Sequence, residues 1–108
     1  MPTPRTVQLK RSAYTDIGEL FGFVIERSGA RSANSWRTAL LQRLETLGER
    51  ADIWPLTDDA ELASLGVREL LFRRNRFVYR IFYKIEDEYV LVHRIRSASQ
   101  DQLTPDDL

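Results

Sequence analysis

Between Phe77 and Ile85 every odd position, Phe77, Tyr79, Ile81, Tyr83 and Ile85, is apolar or aromatic, whereas the even positions, Val78, Arg80, Phe82 and Lys84, mix charge with apolar groups. A period of two belongs to a strand, and a strand with one uniformly apolar side must lay that side on a core. A slip of one residue would turn Arg80 and Lys84 inward, so the pairing of this strand is tightly specified. The flanks extend it into a meander. Val67 to Phe72 is rich in apolar residues, and Arg73-Arg74-Asn75-Arg76 is a turn in which Asn75 can take the left-handed backbone. Glu86-Asp87-Glu88 forms the next turn and Tyr89 to Arg96 the last strand.

The register of the last two strands decides where the cations go. A three-residue turn sets Arg80 opposite Arg94 and Val78 opposite Arg96, gathering Arg80, Lys84, Arg94 and Arg96 on one face. A two-residue turn splits them between faces. The first register is favoured because it keeps Arg94 and Arg96 from being buried under helices.

The helices precede the meander. Arg5 to Lys10 alternates, with Val7 and Leu9 on one side, and reads as a short strand. A first helix is expected from about Ala13 to Ser28, with Ser12 or Thr15 as N-cap and Ile17, Leu20, Phe21 and Val24 on one face, ended by Gly29. Ser32 can cap a second helix with the stripe Ala33, Trp36, Leu40, Leu44 and Leu47, closed by Gly48. About three linking residues make the pair an antiparallel hairpin. Phe21, Phe23 and Trp36 are expected in the core. From Glu49 to Gly66 the chain is acidic and loop-like, with Trp54-Pro55-Leu56 as an apolar anchor and a helical turn over Asp59 to Leu65, where Asp58 and Glu61 have capping-box spacing. The fold class is therefore α+β: an N-terminal strand and an antiparallel helical hairpin packed on one face of a small antiparallel sheet, in a single domain spanning 1–108 with a polar tail over 97–108 that lies against the surface or frays.

Charge is balanced overall, with 16 Lys plus Arg against 16 Asp plus Glu, yet segregated along the chain. Residues 45–67 hold six acids and one base, and residues 68–96 hold eight bases and four acids. An anionic partner must therefore be met by a local patch rather than by a uniformly basic surface. With no cysteine and a single histidine, disulfides, thiolate metal sites, cysteine nucleophiles and conventional zinc sites are excluded, and neither a metal nor a cofactor is expected. No apolar run approaches the ~20 residues that span a bilayer, and Met1-Pro2-Thr3-Pro4-Arg5 lacks the apolar stretch of a signal peptide. The expected location is the cytoplasm, without a membrane partner.

The order strand, helical hairpin, acidic connector and three-strand meander, carrying Val67-Arg68-Glu69-Leu70-Leu71-Phe72, Tyr79-Arg80-Ile81-Phe82-Tyr83 and Val90-Leu91-Val92-His93-Arg94-Ile95-Arg96, resembles the RelE/ParE superfamily of type II toxin–antitoxin toxins over nearly the whole chain. The resemblance implies a bacterial growth-inhibiting toxin with a cognate antitoxin. One branch of the superfamily cleaves mRNA on the ribosome without a metal; the other, the ParE-like or plasmid-stabilisation branch, poisons DNA gyrase without cutting anything itself. RNA cleavage needs a base, an acid for the leaving oxygen and a cation for the phosphorane. Arg80 matches the central-strand arginine of the nuclease branch, and Arg96 is close to its second basic position. The acid/base expected after the last strand is absent, since the chain there reads Ser97-Ala98-Ser99-Gln100-Asp101.

That absence favours the non-hydrolytic branch. If the chain were a ribonuclease, Arg80, Arg96, His93 and Lys84 would be its candidate catalytic residues. As a binding toxin, its antitoxin and target contacts would be Arg80, Lys84, Arg94, Arg96, Arg74 and Arg76, with no sequence-specific DNA binding expected in the absence of antitoxin. A non-toxic interaction module of the same fold is the third possibility. Several of these residues also have plain structural readings: His93 as a strand residue at a core edge, Tyr79 and Tyr83 as packing residues with hydroxyls reaching partners, and the Arg73 to Arg76 tip as a solvated turn.

Overall fold

The computed structural model describes residues 4–108; Met1 to Thr3, part of the segment inspected above for a leader, lie outside the described residues. Four strands, β1 (Thr6–Leu9), β2 (Arg68–Arg74), β3 (Phe77–Ile85) and β4 (Tyr89–Ser97), form one sheet in the order β1-β4-β3-β2. The meander β2-β3-β4 is antiparallel, and β1 joins it parallel to β4, so the sheet is mixed. Asn75 takes the left-handed conformation in the β2–β3 turn, at φ 56°, as its short polar side chain allows.

A helical run, α1 (Arg11–Glu45), connects β1 to the rest and is broken at Gly29, where φ 88° and ψ 171° are tolerated by glycine alone. Its arms, 11–28 and 30–45, are the two helices of the hairpin, joined through that single residue rather than a three-residue link. The N-cap is Lys10 without a side-chain cap, and neither Ser12 nor Thr15 serves. Ser12 Oγ instead donates to the His93 carbonyl at 2.9 Å, and Thr15 bonds back to Arg11. Ser32 lies inside the second arm.

The two arms lay Ile17, Leu20, Val24, Trp36, Leu40 and Leu44 on Leu70, Phe72, Tyr79, Ile81, Tyr83, Val90, Val92 and Ile95, which makes the odd side of β3 the main core face. Phe23 departs from expectation: it is 57% exposed, because it falls off the stripe set by Leu20 and Val24. Gly48 does not close the second arm, which ends at Glu45; it sits in a further turn, α2 (Leu47–Arg50), and accepts the Arg5 amide at 2.7 Å. A 3-10 turn over Ala51–Ile53 and a short helix α3 (Ala60–Ser64) fill the connector, and the cap of α3 is Asp59, whose carboxylate accepts from the Leu62 amide, rather than Asp58.

The opposite sheet face carries a second, smaller core. Phe82, Val67 and Leu62 pack with Leu103 of the tail, against which Leu108 also lies. The tail is held down rather than frayed: Thr104 and Asp107 form a capping box around a last turn, Pro105–Asp107.

Candidate functional site

The register between β3 and β4 differs from the favoured one, and a bulge is the reason. Near the turn Ile85 faces Val90 and Tyr83 faces Val92; past His93, Phe82 faces Arg94 and Arg80 faces Arg96. His93 is the extra residue of the bulge, and an extra residue inverts the alternation of everything beyond it. Val90 and Val92 therefore point to the helices before the bulge and Ile95 after it, while Arg94 and Arg96 emerge on the far face with Arg80 and Lys84. The four cations share one face as expected. The device that places them there is the bulge, and Arg80 lies opposite Arg96, not Arg94.

Each of the three arginines meets a carboxylate of the same chain. Arg80 holds Glu69 by two hydrogen bonds, Nε to Oε2 at 2.8 Å and Nη2 to Oε1 at 2.9 Å, and its guanidinium lies 5.1 Å from the Phe82 ring centroid. Arg94 holds Asp16 likewise, with both contacts at 2.8 Å, and also donates Nη1 to the Asp107 carbonyl at 3.1 Å. Arg96 is 3.7 Å from the Asp107 carboxylate. Hydrogen bonding to Glu69 raises the Arg80 pKa, and hydrogen bonding to Asp16 does the same for Arg94. The Thr104 amide, then its hydroxyl, Arg96 and Arg94, hold the Asp107 carboxyl below its ordinary value. Charge-assisted two-point contacts of this kind are the strong ones.

Asp16, Glu69 and Asp107 were not singled out from the sequence. For Asp16 the signal was present: an acid one residue before Ile17 and four before Leu20 lies on the apolar stripe, where a carboxylate needs a partner.

The other candidates are distributed as follows. His93 is 6% exposed and neither ring nitrogen has a partner. Burial, then Lys10 and Lys84, push its pKa down to about 4, so the ring is neutral near pH 7. Tyr83 is buried and donates to the Ala51 carbonyl at 2.6 Å, and burial lifts its pKa to about 12. Lys84 is half-buried on β3 and Arg76 is exposed in the turn; neither forms an ion pair among the described residues. Arg74 is at the other end of the sheet from Lys84 and donates to Ser35 Oγ at 2.6 Å.

Beside the first helical arm, at the end of the sheet where β3 begins and β4 ends, runs a groove of about 570 Å³ lined by Leu20, Phe23, Val24, Phe77 and Tyr79 among others. Its wall is apolar on the side of Leu20, Val24 and the exposed Phe23 ring, and polar where Glu26, Arg27, Ser97, Ser99 and Gln100 close it.

Residues 7–102 match the family model described as the ParE toxin of the type II toxin–antitoxin system parDE. The chain belongs to the ParE toxin family. It is a RelE/ParE-superfamily toxin of the type II class. No curated protein matches it in sequence. Among solved structures it is similar to the chromosomal ParDE TA system from P. aeruginosa, with a TM-score of 0.72 at 15% identity over 89% of this chain and 98% of that one. At that identity the likeness establishes a shared fold. A ParE-family chain thus places its sheet arginines, through one bulge, on a face whose carboxylates are internal. Among the described residues, no helix is long and apolar enough to cross a membrane.

Proposed function

We propose that this ParE-family toxin arrests growth by binding a DNA gyrase-type enzyme in the cytoplasm, without itself cutting nucleic acid, and that a cognate antitoxin neutralises it. The observation that carries this reading is the pairing of the sheet arginines. Arg80, held by Glu69, and Arg94, held by Asp16, have their guanidinium edges committed within the chain. Each therefore has one guanidinium edge held by a carboxylate, whose charge offsets the one a phosphorane would need. Proton transfer is as poorly served: His93 is neutral and enclosed, and the Tyr83 hydroxyl is bound to Ala51. Efficient general acid catalysis wants a donor with a pKa near the working pH and within reach of the leaving oxygen.

The antitoxin reading is supported by the groove beside the first arm. An amphipathic segment laying apolar residues against Phe23, Val24 and Phe77 would follow a common mode of helix-in-groove recognition. The P. aeruginosa relative is described as a ParDE TA system, in keeping with a toxin that works with an antitoxin.

The test is inducible expression with parallel measurement of growth, plasmid supercoiling and mRNA integrity. Growth arrest with altered supercoiling and intact transcripts is expected. Codon-specific cuts in translated mRNA within minutes of induction, with supercoiling unchanged, would overturn the proposal in favour of a ribosome-dependent ribonuclease. Undiminished growth would point to a non-toxic module of the same fold.

A further inference from the structure

At the tip of the fold, where the Gly29 break meets the β2–β3 turn, a second cavity of about 300 Å³ opens between the helical hairpin and the sheet. Arg27, Arg31 and Arg74 line it together with Ser32, Ser35 and Trp36, and no Asp or Glu does. This differs from the sheet face, where Arg80, Arg94 and Arg96 each meet a carboxylate. Among the described residues, none of the three forms an ion pair. Arg74 is oriented by Ser35 Oγ at 2.6 Å, and Arg27 is braced with its guanidinium carbon 3.7 Å from the Phe77 ring centroid. A guanidinium stacked on a ring keeps its N–H edges available.

An independent observation comes from the wall. Trp36 is 2% exposed, and its Nε1, a group that can only donate, is buried with no hydrogen-bond partner. A buried donor without an acceptor is costly, which leaves this wall of the cavity incompletely satisfied. Three guanidinium groups and the hydroxyls of Ser28, Ser32 and Ser35 amount to a donor-rich cavity without an acidic side chain of its own, which suits a compact oxyanion with several oxygens.

We infer that the cavity bounded by Arg27, Arg31, Arg74 and Trp36 binds a phosphate group, either free or within a nucleic-acid backbone. Arginine forks match phosphate geometry, and the serines supply further donors. Arg76, exposed in the adjoining turn, lies where the next phosphate of a backbone would pass. The contact reads charge and shape, not base sequence. The inference does not rest on the proposed gyrase target or antitoxin, although the cavity shares Val24, Arg27, Phe77 and Tyr79 with the groove.

Trp36 provides the probe. In full-length protein carrying Trp54→Phe, Trp36 is the sole tryptophan, and its fluorescence is followed during titration with inorganic phosphate and, separately, with a 20-base-pair duplex of mixed sequence at low salt. Arg31→Ala and Arg74→Ala, each checked by circular dichroism for an unchanged fold, are measured in parallel, as is hexaglutamate as an acidic peptide. Saturable response in at least one phosphate arm, weakened at least fivefold by either substitution, is expected. Response to inorganic phosphate alone assigns a free phosphate; salt-sensitive response to the duplex assigns a phosphodiester. No response in either arm, equal response in the variants, or preference for hexaglutamate overturns the inference.

Discussion

Asp16 and Arg94, 78 positions apart, meet at the edge of β4 through two hydrogen bonds of 2.8 Å. The same carboxylate accepts the Ile95 amide at 2.9 Å. β1 pairs with β4 only as far as Leu9 opposite Val92, and Lys10 still donates to the Val92 carbonyl. Beyond that point the chain has turned into α1, and the edge groups of β4 would lack partners. Ser12 satisfies the His93 carbonyl and Asp16 the Ile95 amide, so the first turns of α1 continue by side chain what β1 began by backbone.

Asp16→Ala is expected to destabilise the fold by about 3 kcal/mol, since it leaves a partly buried guanidinium and a buried amide short of acceptors. Asp16→Asn, which keeps an acceptor for Ile95, should cost less. Urea denaturation midpoints of the two variants and the parent check the ordering; equal losses would show that the charge contributes nothing beyond the amide contact.

His93 makes stability depend on pH in a defined window. Its folded pKa, pushed down to about 4, lies below the unfolded value of 6.5. Above pH 6.5 the ring is neutral in both states and its contribution is constant. As pH falls from 6.5 toward 4 the unfolded chain takes up the proton first and stability drops, by about 1–2 kcal/mol at pH 5 relative to pH 8. His93→Leu removes this component without breaking a hydrogen bond, since neither nitrogen has a partner. Denaturation midpoints of variant and parent should therefore diverge in the variant's favour below pH 6.5.

Two glycines should fail for different reasons. A Cβ on Gly48 would stand 2.8 Å from the Arg5 carbonyl oxygen, a backbone atom that must move. Gly48→Ala is expected to cost about 1–3 kcal/mol and to speed amide hydrogen exchange in β1 first. Gly29→Ala meets nothing within 4 Å yet forces an alanine into φ 88°. It should cost about 1–3 kcal/mol through backbone strain, with the exchange increase centred on the hairpin tip.

Phe23 separates binding from stability. Because its ring is 57% exposed, Phe23→Ser should move the denaturation midpoint little, by about 0.5 kcal/mol or less. If the groove takes the antitoxin, the same change should weaken antitoxin binding about tenfold or more, as loss of an aromatic anchor does. Calorimetric titration of the two purified proteins measures it.

Most of the architecture was legible because it rests on periodicity. The odd residues of Phe77 to Ile85 could face only a core, and the stripe Ile17, Leu20, Val24 could face only that same core. The bulge was not legible. An inserted residue leaves the hydrophobic pattern intact on either side, and because Leu91 is apolar too, the run Val90-Leu91-Val92 does not show which of its residues face the core or that the parity changes before Ile95. The site was half visible. Basic strand residues are evident in a sequence, but their neutralisation by Asp16, across 78 positions, and by Asp107 of the tail depends on tertiary contacts that no local pattern encodes. The orphaned Trp36 indole was invisible for the same reason, since only the packed hairpin denies it a partner.

The break at Gly29 also sets the electrical shape of the molecule. The second helical arm starts at the tip, where Arg27, Arg31, Arg73, Arg74 and Arg76 outnumber Glu26, and ends at the connector, where Glu45, Glu49, Asp58, Asp59 and Glu61 outnumber Arg50 and Asp52 is paired with Arg5. At 1.5 Å per residue that arm separates the two groups by about 24 Å. With the sheet arginines quenched in place, a chain of zero net charge becomes a molecular dipole. An approaching polyanion exerts a torque on such a body and little net pull, so it is turned tip-first before contact, an orienting effect that fades as ionic strength shortens the reach of the field.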